Sequence, residues 1–110
     1  MGASKITEYS SKEILLAKYA KALSHPARIA ILELLLKKQS CICGDIVNEL
    51  PLSQSTVSQH LKELKAAGLI KGDIEGVSVC YCIDDKEWTK AKTLLNRLFD
   101  KHVPCNNDCC

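Results

Sequence analysis

Cysteines are the residues of this 110-residue chain with the clearest capacity for chemistry. An odd number of cysteines without a secretion signal argues against a disulfide framework, so we expect reduced thiols. Reduced thiols that occur in pairs are suited to binding soft metal ions. The seven cysteines form two close pairs and a terminal cluster: Cys41 and Cys43, Cys80 and Cys82, then Cys105, Cys109 and Cys110.

The stretch SQSTVSQHLKELKAAGLI, residues 53–70, is the second feature with chemical potential. It opens with Ser, Gln and Thr, which are weak helix formers. Val57, Leu61 and Leu64 follow at helical spacing and predict a buried face. Ser53 is suited to cap such a helix, and Gly68 to end it. The opposite face would then be polar, either as an ordinary solvated surface or as a surface that contacts a ligand.

The predicted elements around this stretch place it in a fold. The last helix is amphipathic, and two strand-like runs flank Glu75 and Gly76 as in a β-hairpin. In the second helix the expected apolar stripe is Ile29, Leu32, Leu35 and Leu36. Helices are predicted over residues 12–23, from Pro26, from about Asp45 to Leu50, from Ser53 to Gly68, and around Trp88 to Leu98.

Two compact helices joined by a short break and followed by a hairpin are typical of a winged helix-turn-helix. We therefore predict a mainly α fold of about five helices with a two-stranded β wing. In this context the polar face favours DNA, because Gln pairs with adenine edges, Ser and Thr reach bases or phosphates, and Lys contacts phosphate. The predicted DNA contacts are Ser53, Gln54, Ser55, Thr56, Ser58, Gln59, His60 and Lys62.

Three segments, ALSHPARIAILELL, LSQSTVSQHLKELKAAGLI and EGVSVCYCID, together resemble the ArsR/SmtB family of winged-helix metalloregulatory repressors, and in particular its arsenic-responsive members. The resemblance covers residues 14–99. It implies a homodimer paired through the first and last helices. It also implies a repressor that binds double-stranded operator DNA with an inverted repeat and releases it when a metal or metalloid binds. Residues 1–99 would form this DNA-binding and dimerisation domain, and residues 100–110 a Cys-rich tail.

The segment Cys41-Ile42-Cys43 resembles the Cys-Val-Cys motif of arsenic-sensing relatives, displaced by one residue so that Gly44 takes the second Cys position. Residues two apart share a face in an extended chain but point about 200° apart in a helix. The pair can therefore meet one ion in an extended segment leading into the helix. Trivalent arsenic or antimony, the expected inducers, take three thiolates, so further ligands must come from elsewhere. The predicted metal ligands are Cys41, Cys43, Cys105, Cys109 and Cys110, with cadmium, lead or zinc as alternative inducers.

The other candidate ligands are interpreted as structural. Cys80 and Cys82 share one face of a strand and are interpreted as small apolar strand residues, with metal ligation as the alternative if the tail does not complete the site. His25, directly before Pro26, is expected at a helix start. The last helix lacks the Asp-x-His start of the family's zinc site, although Asp84 and His102 are present.

Composition sets the outer limits on function. The chain is 46% hydrophobic and 25% charged, enough for one globular domain, and its net charge of +2 permits DNA binding without identifying it. No membrane span or leader is predicted, which favours a cytoplasmic location. Without C-x-x-C, a Gly-rich phosphate loop or a nucleophile with its base, we expect no enzyme. A repressor of the same fold that senses thiol oxidation, and a cysteine-based metal carrier or thiol enzyme, remain the alternatives.

Overall fold

The computed structural model describes residues 8–39, 41–43, 53–73 and 80–104. Within these ranges the order of helices, hairpin and closing helix confirms the winged helix-turn-helix prediction. The helix predicted near Asp45 to Leu50 lies outside the described residues. The elements are α1 (Ser11–Ala22), α2 (Pro26–Lys38), β1 (Ile42–Cys43), α3 (Gln54–Ala66), β2 (Ile70–Asp73), β3 (Cys80–Ile83) and α4 (Asp85–Asp100).

Side-chain caps fix where the first two helices begin. Ser10 and Glu13 form a reciprocal capping box at α1, in which the Glu13 N–H donates to Ser10 Oγ at 3.1 Å. At α2 the Nδ1 atom of His25 accepts a hydrogen bond from the Ala27 N–H at 3.0 Å, ahead of Pro26. The predicted place of His25 at a helix start is thus confirmed.

The end of α3 turns the chain directly into the sheet. Gly68 has φ +88°, and its N–H donates to the Lys65 carbonyl while the Leu69 N–H donates to the Leu64 carbonyl. This pair of bonds is a Schellman motif, which favours glycine because a Cβ is strained at positive φ. Leu64 and Leu69 are both buried and close the motif with an apolar contact. The prediction that Gly68 ends this helix is confirmed.

The sheet contains the predicted hairpin and one additional strand. Its order is β1-β3-β2, and both pairings are antiparallel. Gly72 of β2 has φ +133° and lies opposite Tyr81, so close that a Cβ there would come within 2.7 Å of the Tyr81 Cα atom. The segment from Cys41 to Cys43 is predicted to be extended, and β1 confirms this for residues 42–43.

The core lies between α1, α2, α3 and the inner face of the sheet. Its fully buried side chains come from every layer: Tyr19, Ile31, Leu35, Val57, Leu64, Leu69, Ile70 and Tyr81. The stripe predicted for α2 is only half right, because Ile29 and Leu36 are exposed while Ile31 is buried. Apolar residues occur on every side of α2, so helical periodicity could not select the face that packs on α3.

A buried polar contact joins the first and last helices. The Tyr19 hydroxyl donates a hydrogen bond to Glu87 Oε2 of α4. Burial of Tyr19, together with this hydrogen bond, raises its pKa from 10.0 to about 12. Among the described residues, no helix is both long enough and apolar enough to cross a membrane.

Candidate nucleic-acid face and cysteine pairs

The N-terminus of α3 is built from hydroxyl side chains. Ser53 caps the helix, with its Oγ accepting from the Thr56 N–H at 3.4 Å. The same oxygen lies 2.9 Å from Thr56 Oγ1 and 3.3 Å from Ser55 Oγ. Small polar residues at the start of this helix therefore satisfy its free N–H groups and each other, while the positive end of the helix favours a nearby anion.

The remaining residues of α3 separate into a buried and an accessible side. Val57, Leu61 and Leu64 are at most 3% exposed and face the core, as predicted. The side chain of Gln54 lies outside the described part of the chain. The other predicted contacts except His60 are accessible, with Ser58 partly exposed and Ser53, Ser55, Thr56, Gln59 and Lys62 exposed. Accessibility is what a groove-facing surface requires, and the DNA contacts themselves stay a prediction.

His60 does not belong to this accessible side, which corrects its prediction as a DNA contact. It is only 8% exposed, and its Nδ1 accepts a hydrogen bond from Arg28 Nε at 3.1 Å. Its ring lies 4.4 Å from that of His25, centroid to centroid. Helical spacing places His60 next to the polar face but cannot reveal that α2 covers it.

Arg28 links α2 to α3 by a side-chain hydrogen bond, a role that the sequence alone does not indicate. Besides His60, its guanidinium donates to the Lys21 carbonyl at the end of α1 at 3.2 Å. Burial lowers the pKa of His60, and the charges of His25 and Arg28 lower it further against an opposing effect of Glu63. His60 is therefore held neutral, as acceptance from Arg28 requires.

Two cysteines far apart in sequence are joined in the sheet. Cys41 forms a disulfide with Cys82, with their Cα atoms 4.2 Å apart. This differs from the expectation of reduced thiols. The physical reason is the antiparallel pairing of β1 with β3, which brings opposite Cα atoms to about 4.5 Å at alternate positions.

Cys80 and Cys82 are both disulfide-bonded, so their interpretation as small apolar strand residues is wrong. Cys80 is likewise disulfide-bonded, and the β1–β3 register sets Cys43 opposite it. Tyr81 is 1% exposed and packs on the core, whereas its neighbours Cys80 and Cys82 are on the other face and only half-buried. The repeated C-x-C pattern was the sequence signal that could have suggested this pairing.

The remaining predicted metal residues do not join a site in the described part of the chain. Cys105, Cys109 and Cys110 lie outside the described residues, as does the side chain of Cys43. Asp84 caps α4 by accepting from the Glu87 N–H at 3.1 Å, and His102 is exposed beyond that helix. Across the described ranges, no three His, Cys, Asp or Glu side chains are gathered as around an ion.

Comparison with known sequences assigns the chain to a family. A family model described as "Bacterial regulatory protein, arsR family" matches residues 25–71. The chain is 45% identical over 65 residues to the HTH-type transcriptional repressor SmtB of Mycobacterium tuberculosis, covering 59% of this chain and 47% of that repressor. The chain thus spans about half the length of that relative.

Two further relatives are matched over more of their length. A cadmium resistance transcriptional regulatory protein, a CadC homolog of Staphylococcus aureus, is 38% identical over 76% of this chain and 66% of its own. The transcriptional activator HlyU of Vibrio cholerae is 32% identical over 90% of this chain and 88% of its own. The solved structure of HlyU superposes with a TM-score of 0.63 at 30% identity, covering 84% of this chain and 99% of that chain. The chain therefore belongs to the arsR family of bacterial regulatory proteins.

Proposed function

We propose that this chain represses transcription by binding operator DNA and leaves the operator when a thiophilic metal or metalloid ion binds its cysteines. The observation that carries the proposal is the position of Cys41 beside Cys82, which, once reduced, would put two thiol groups between the chain leading to α3 and strand β3 of the wing. A change at these thiols would act on both elements that a winged helix-turn-helix uses on DNA.

On the DNA side, α3 is the recognition helix. Ser55, Thr56, Gln59 and Lys62 are exposed on one side, and Val57 fixes the opposite side in the core. Gln59 is suited to read base edges in the major groove, while Lys62 and the hydroxyls position the helix on phosphates. Lys71 of β2 is exposed and supplies a further positive charge beside the hairpin.

A homodimer presents two such helices to an inverted repeat. Apolar side chains are exposed on the first and last helices, with Ile14 at 41%, Leu98 at 47% and Phe99 at 68%. Pairing through these helices removes that apolar surface from water. It also predicts operator half-sites about one helical turn apart or a multiple of it. Such a regulator acts in the cytoplasm, without a membrane partner.

The proposed inducer is trivalent arsenic or antimony, with cadmium, lead or zinc as alternatives. Once reduced, Cys41 and Cys43 would provide two thiolates at and directly before β1, and the tail cysteines remain predicted contributors. The relative named for cadmium resistance supports a soft ion as the class of inducer. Titration of reduced protein on its own promoter DNA with arsenite, antimonite, cadmium, lead and zinc identifies the ion by the lowest concentration that releases DNA.

The DNA-binding half of the proposal is tested at the predicted groove face. Gln54→Ala with Ser58→Ala should weaken operator binding by about 1–3 kcal/mol for each good base pairing that the substitutions remove. The matched control is Thr89→Ala with Asn96→Ala, two exposed polar residues of α4. Circular dichroism should be unchanged in both variants. Equal operator affinity for the two double variants would remove Gln54 and Ser58 from the interface.

The inducer half is tested with serine, which is nearly isosteric with cysteine but a poor soft-ion ligand. Cys41→Ser should keep metal-free operator binding and lose release by arsenite. The ion should weaken operator affinity, and operator DNA should weaken ion affinity, by the same factor, which corresponds to a coupling free energy of typically about 1–3 kcal/mol. A chain cut before Cys105 tests the tail, because an unchanged arsenite response would place the third ligand elsewhere. A normal response of Cys41→Ser would contradict the proposed site.

A redox-sensing repressor is the second candidate function, and the Cys41–Cys82 disulfide is the observation that favours it. Its distinguishing test is intact mass and operator binding after diamide or arsenite treatment. Release with a loss of two hydrogens per disulfide supports thiol oxidation. Release with a gain of one arsenic atom supports the metalloid mechanism.

A further inference from the structure

Cysteines in β1 and directly before it occupy positions opposite the cysteines of β3. Cys41 is bonded to Cys82, and the register pairs Cys43 with Cys80. Because residues two apart in a strand lie on the same face, both cross-strand pairs belong to one face of the sheet. Four cysteine positions therefore form a compact block, two on each strand.

This block, defined by Cys41, Cys43, Cys80 and Cys82, is on the sheet face away from the core. Tyr81 and Ile70, on the other face, are 1% and 2% exposed. Cys41 is exposed and Cys82 half-buried. Core packing therefore does not account for cysteine at positions 41, 80 and 82, none of which is buried.

An open cleft beside the block provides access and a balancing charge. Cys41 and Cys82 line a cleft of about 430 Å³ together with Lys71 and Asp85. Lys71 lies opposite Cys82 in the pairing of β2 with β3. A neighbouring ammonium group favours the thiolate form of cysteine, which is the form that binds metal.

We propose that the reduced block binds one divalent thiophilic ion, such as Cd²⁺, through the thiolates of Cys41, Cys43, Cys80 and Cys82. The regulatory meaning of this site rests on the proposed function, whereas ion binding by it does not. Reduction by a dithiol transfers two electrons and two protons to each disulfide that is reduced and oxidises the dithiol. Binding of the ion then displaces the four thiol protons.

The backbone spacing of the block can be compared with four-sulfur coordination. A tetrahedral zinc site, with Zn–S bonds of about 2.3 Å, has sulfur atoms about 3.8 Å apart, and the larger Cd²⁺ ion sets them slightly farther apart. The Cys41 and Cys82 Cα atoms are 4.2 Å apart across the strands, and residues two apart along a strand are separated by about 6.7 Å. Rotation of the cysteine side chains toward the centre of the block closes the longer separation. Reduction comes first, because the Cys41 and Cys82 sulfurs are bonded to each other and the thiolate is the form that binds metal.

This ligand set differs from the one predicted from sequence, which completed the site with the tail. The ion would clamp β1, which precedes α3 in the chain, to β3 of the wing. With four thiolates and one divalent ion the site carries two net negative charges, which the Lys71 ammonium partly offsets. A four-thiolate tetrahedron also suits a divalent ion better than trivalent arsenic, which takes three.

The test is cadmium titration of the reduced full-length chain, followed by thiolate-to-cadmium absorbance, native mass and X-ray absorption at the cadmium edge. We expect one Cd²⁺ per chain with four sulfur ligands. Cys80→Ser with Cys82→Ser should lower the affinity by at least about 100-fold, since even outer-shell changes cost 10–100-fold. The matched control, Cys105→Ser with Cys109→Ser and Cys110→Ser, should bind like the wild type.

A second measurement does not depend on the folding of a variant. In the wild-type chain, Cd²⁺ should protect Cys80 and Cys82 from iodoacetamide, as read by peptide mass. Unchanged alkylation of these two residues, unchanged affinity in their serine variant, or loss of binding in the tail variant would each overturn the site.

Operator binding separates the site from the proposed function. If Cd²⁺ binds through four sulfurs but leaves the operator complex intact, the site stands and cadmium is excluded as an inducer. If Cd²⁺ releases the operator from Cys80→Ser with Cys82→Ser at wild-type concentrations, cadmium stands as an inducer and the regulatory role of the site is overturned.

Discussion

Breaking the hydrogen bond between Arg28 and His60 should loosen the recognition helix from α2 in a pH-dependent way. The His60 Nδ1 atom accepts from Arg28 Nε at 3.1 Å, and only a neutral imidazole can accept. Burial lowers the pKa of His60 in the folded state below its ordinary value of 6.5. At a pH between the lowered pKa of folded His60 and its ordinary pKa of 6.5, the unfolded chain binds the proton and the folded chain does not. The free energy of unfolding therefore falls as the pH decreases below about 6.5.

The magnitude follows from the type of bond and its exposure. Hydrogen bonds to charged groups contribute about 1.5–3 kcal/mol, and the half-buried position of Arg28 favours the lower end. A double-mutant cycle with Arg28→Met and His60→Phe should therefore give a coupling of about 1.5 kcal/mol near pH 8, or roughly tenfold in the unfolding equilibrium. The hydrogen bond of Arg28 to the Lys21 carbonyl is lost both in Arg28→Met and in the double variant, so its contribution cancels in the coupling energy.

The assay is urea unfolding followed by Trp88 fluorescence at fixed protein and reductant concentrations, since Trp88 is the one tryptophan of the chain. The coupling should shrink as the pH falls through the lowered pKa of folded His60, because protonation then competes with acceptance from Arg28. His102→Gln, a change at an exposed histidine, serves as the control and should keep the wild-type pH dependence. A coupling under about 0.5 kcal/mol near pH 8 would refute the structural role, because unconnected sites add to within that margin.

Three other substitutions test the fold around the site. Gly72→Ala should destabilise the hairpin by about 1–3 kcal/mol, since its φ is +133° and the new Cβ would crowd the Tyr81 Cα atom, and a normal melting temperature would contradict this. Tyr19→Phe should cost about 1–3 kcal/mol by leaving Glu87 without its donor. In the wild type, one tyrosine should titrate near pH 12 by ultraviolet absorbance. Folding stability should fall as the pH rises above 10, because the folded state holds the Tyr19 proton more tightly than the unfolded state does. The check is that this titration step is lost in Tyr19→Phe. Leu64→Ala should cost about 2–5 kcal/mol in urea unfolding, and under 1 kcal/mol would contradict its full burial.

Local chemistry let the sequence determine most of the helical framework. Hydroxyl and histidine caps, Pro26 at a first helical position and Gly68 at a helix end act through neighbours in the chain, so their effects can be read without tertiary contacts. The buried side of α3 was also predictable, because Val57 and Leu64 alternate with polar residues at helical spacing. These local signals carried the fold and the family resemblance.

Contacts between distant segments were decided only by the tertiary structure. Periodicity showed that Cys80 and Cys82 share a strand face, but only the packing of Tyr81 revealed that this face is turned away from the core. Likewise, only strand pairing set Cys41 against Cys82, which are separated by 41 positions in sequence. The physical reason is that a strand's alternation fixes which side chains share a face, whereas long-range packing and pairing choose which face is covered and which strand lies beside it.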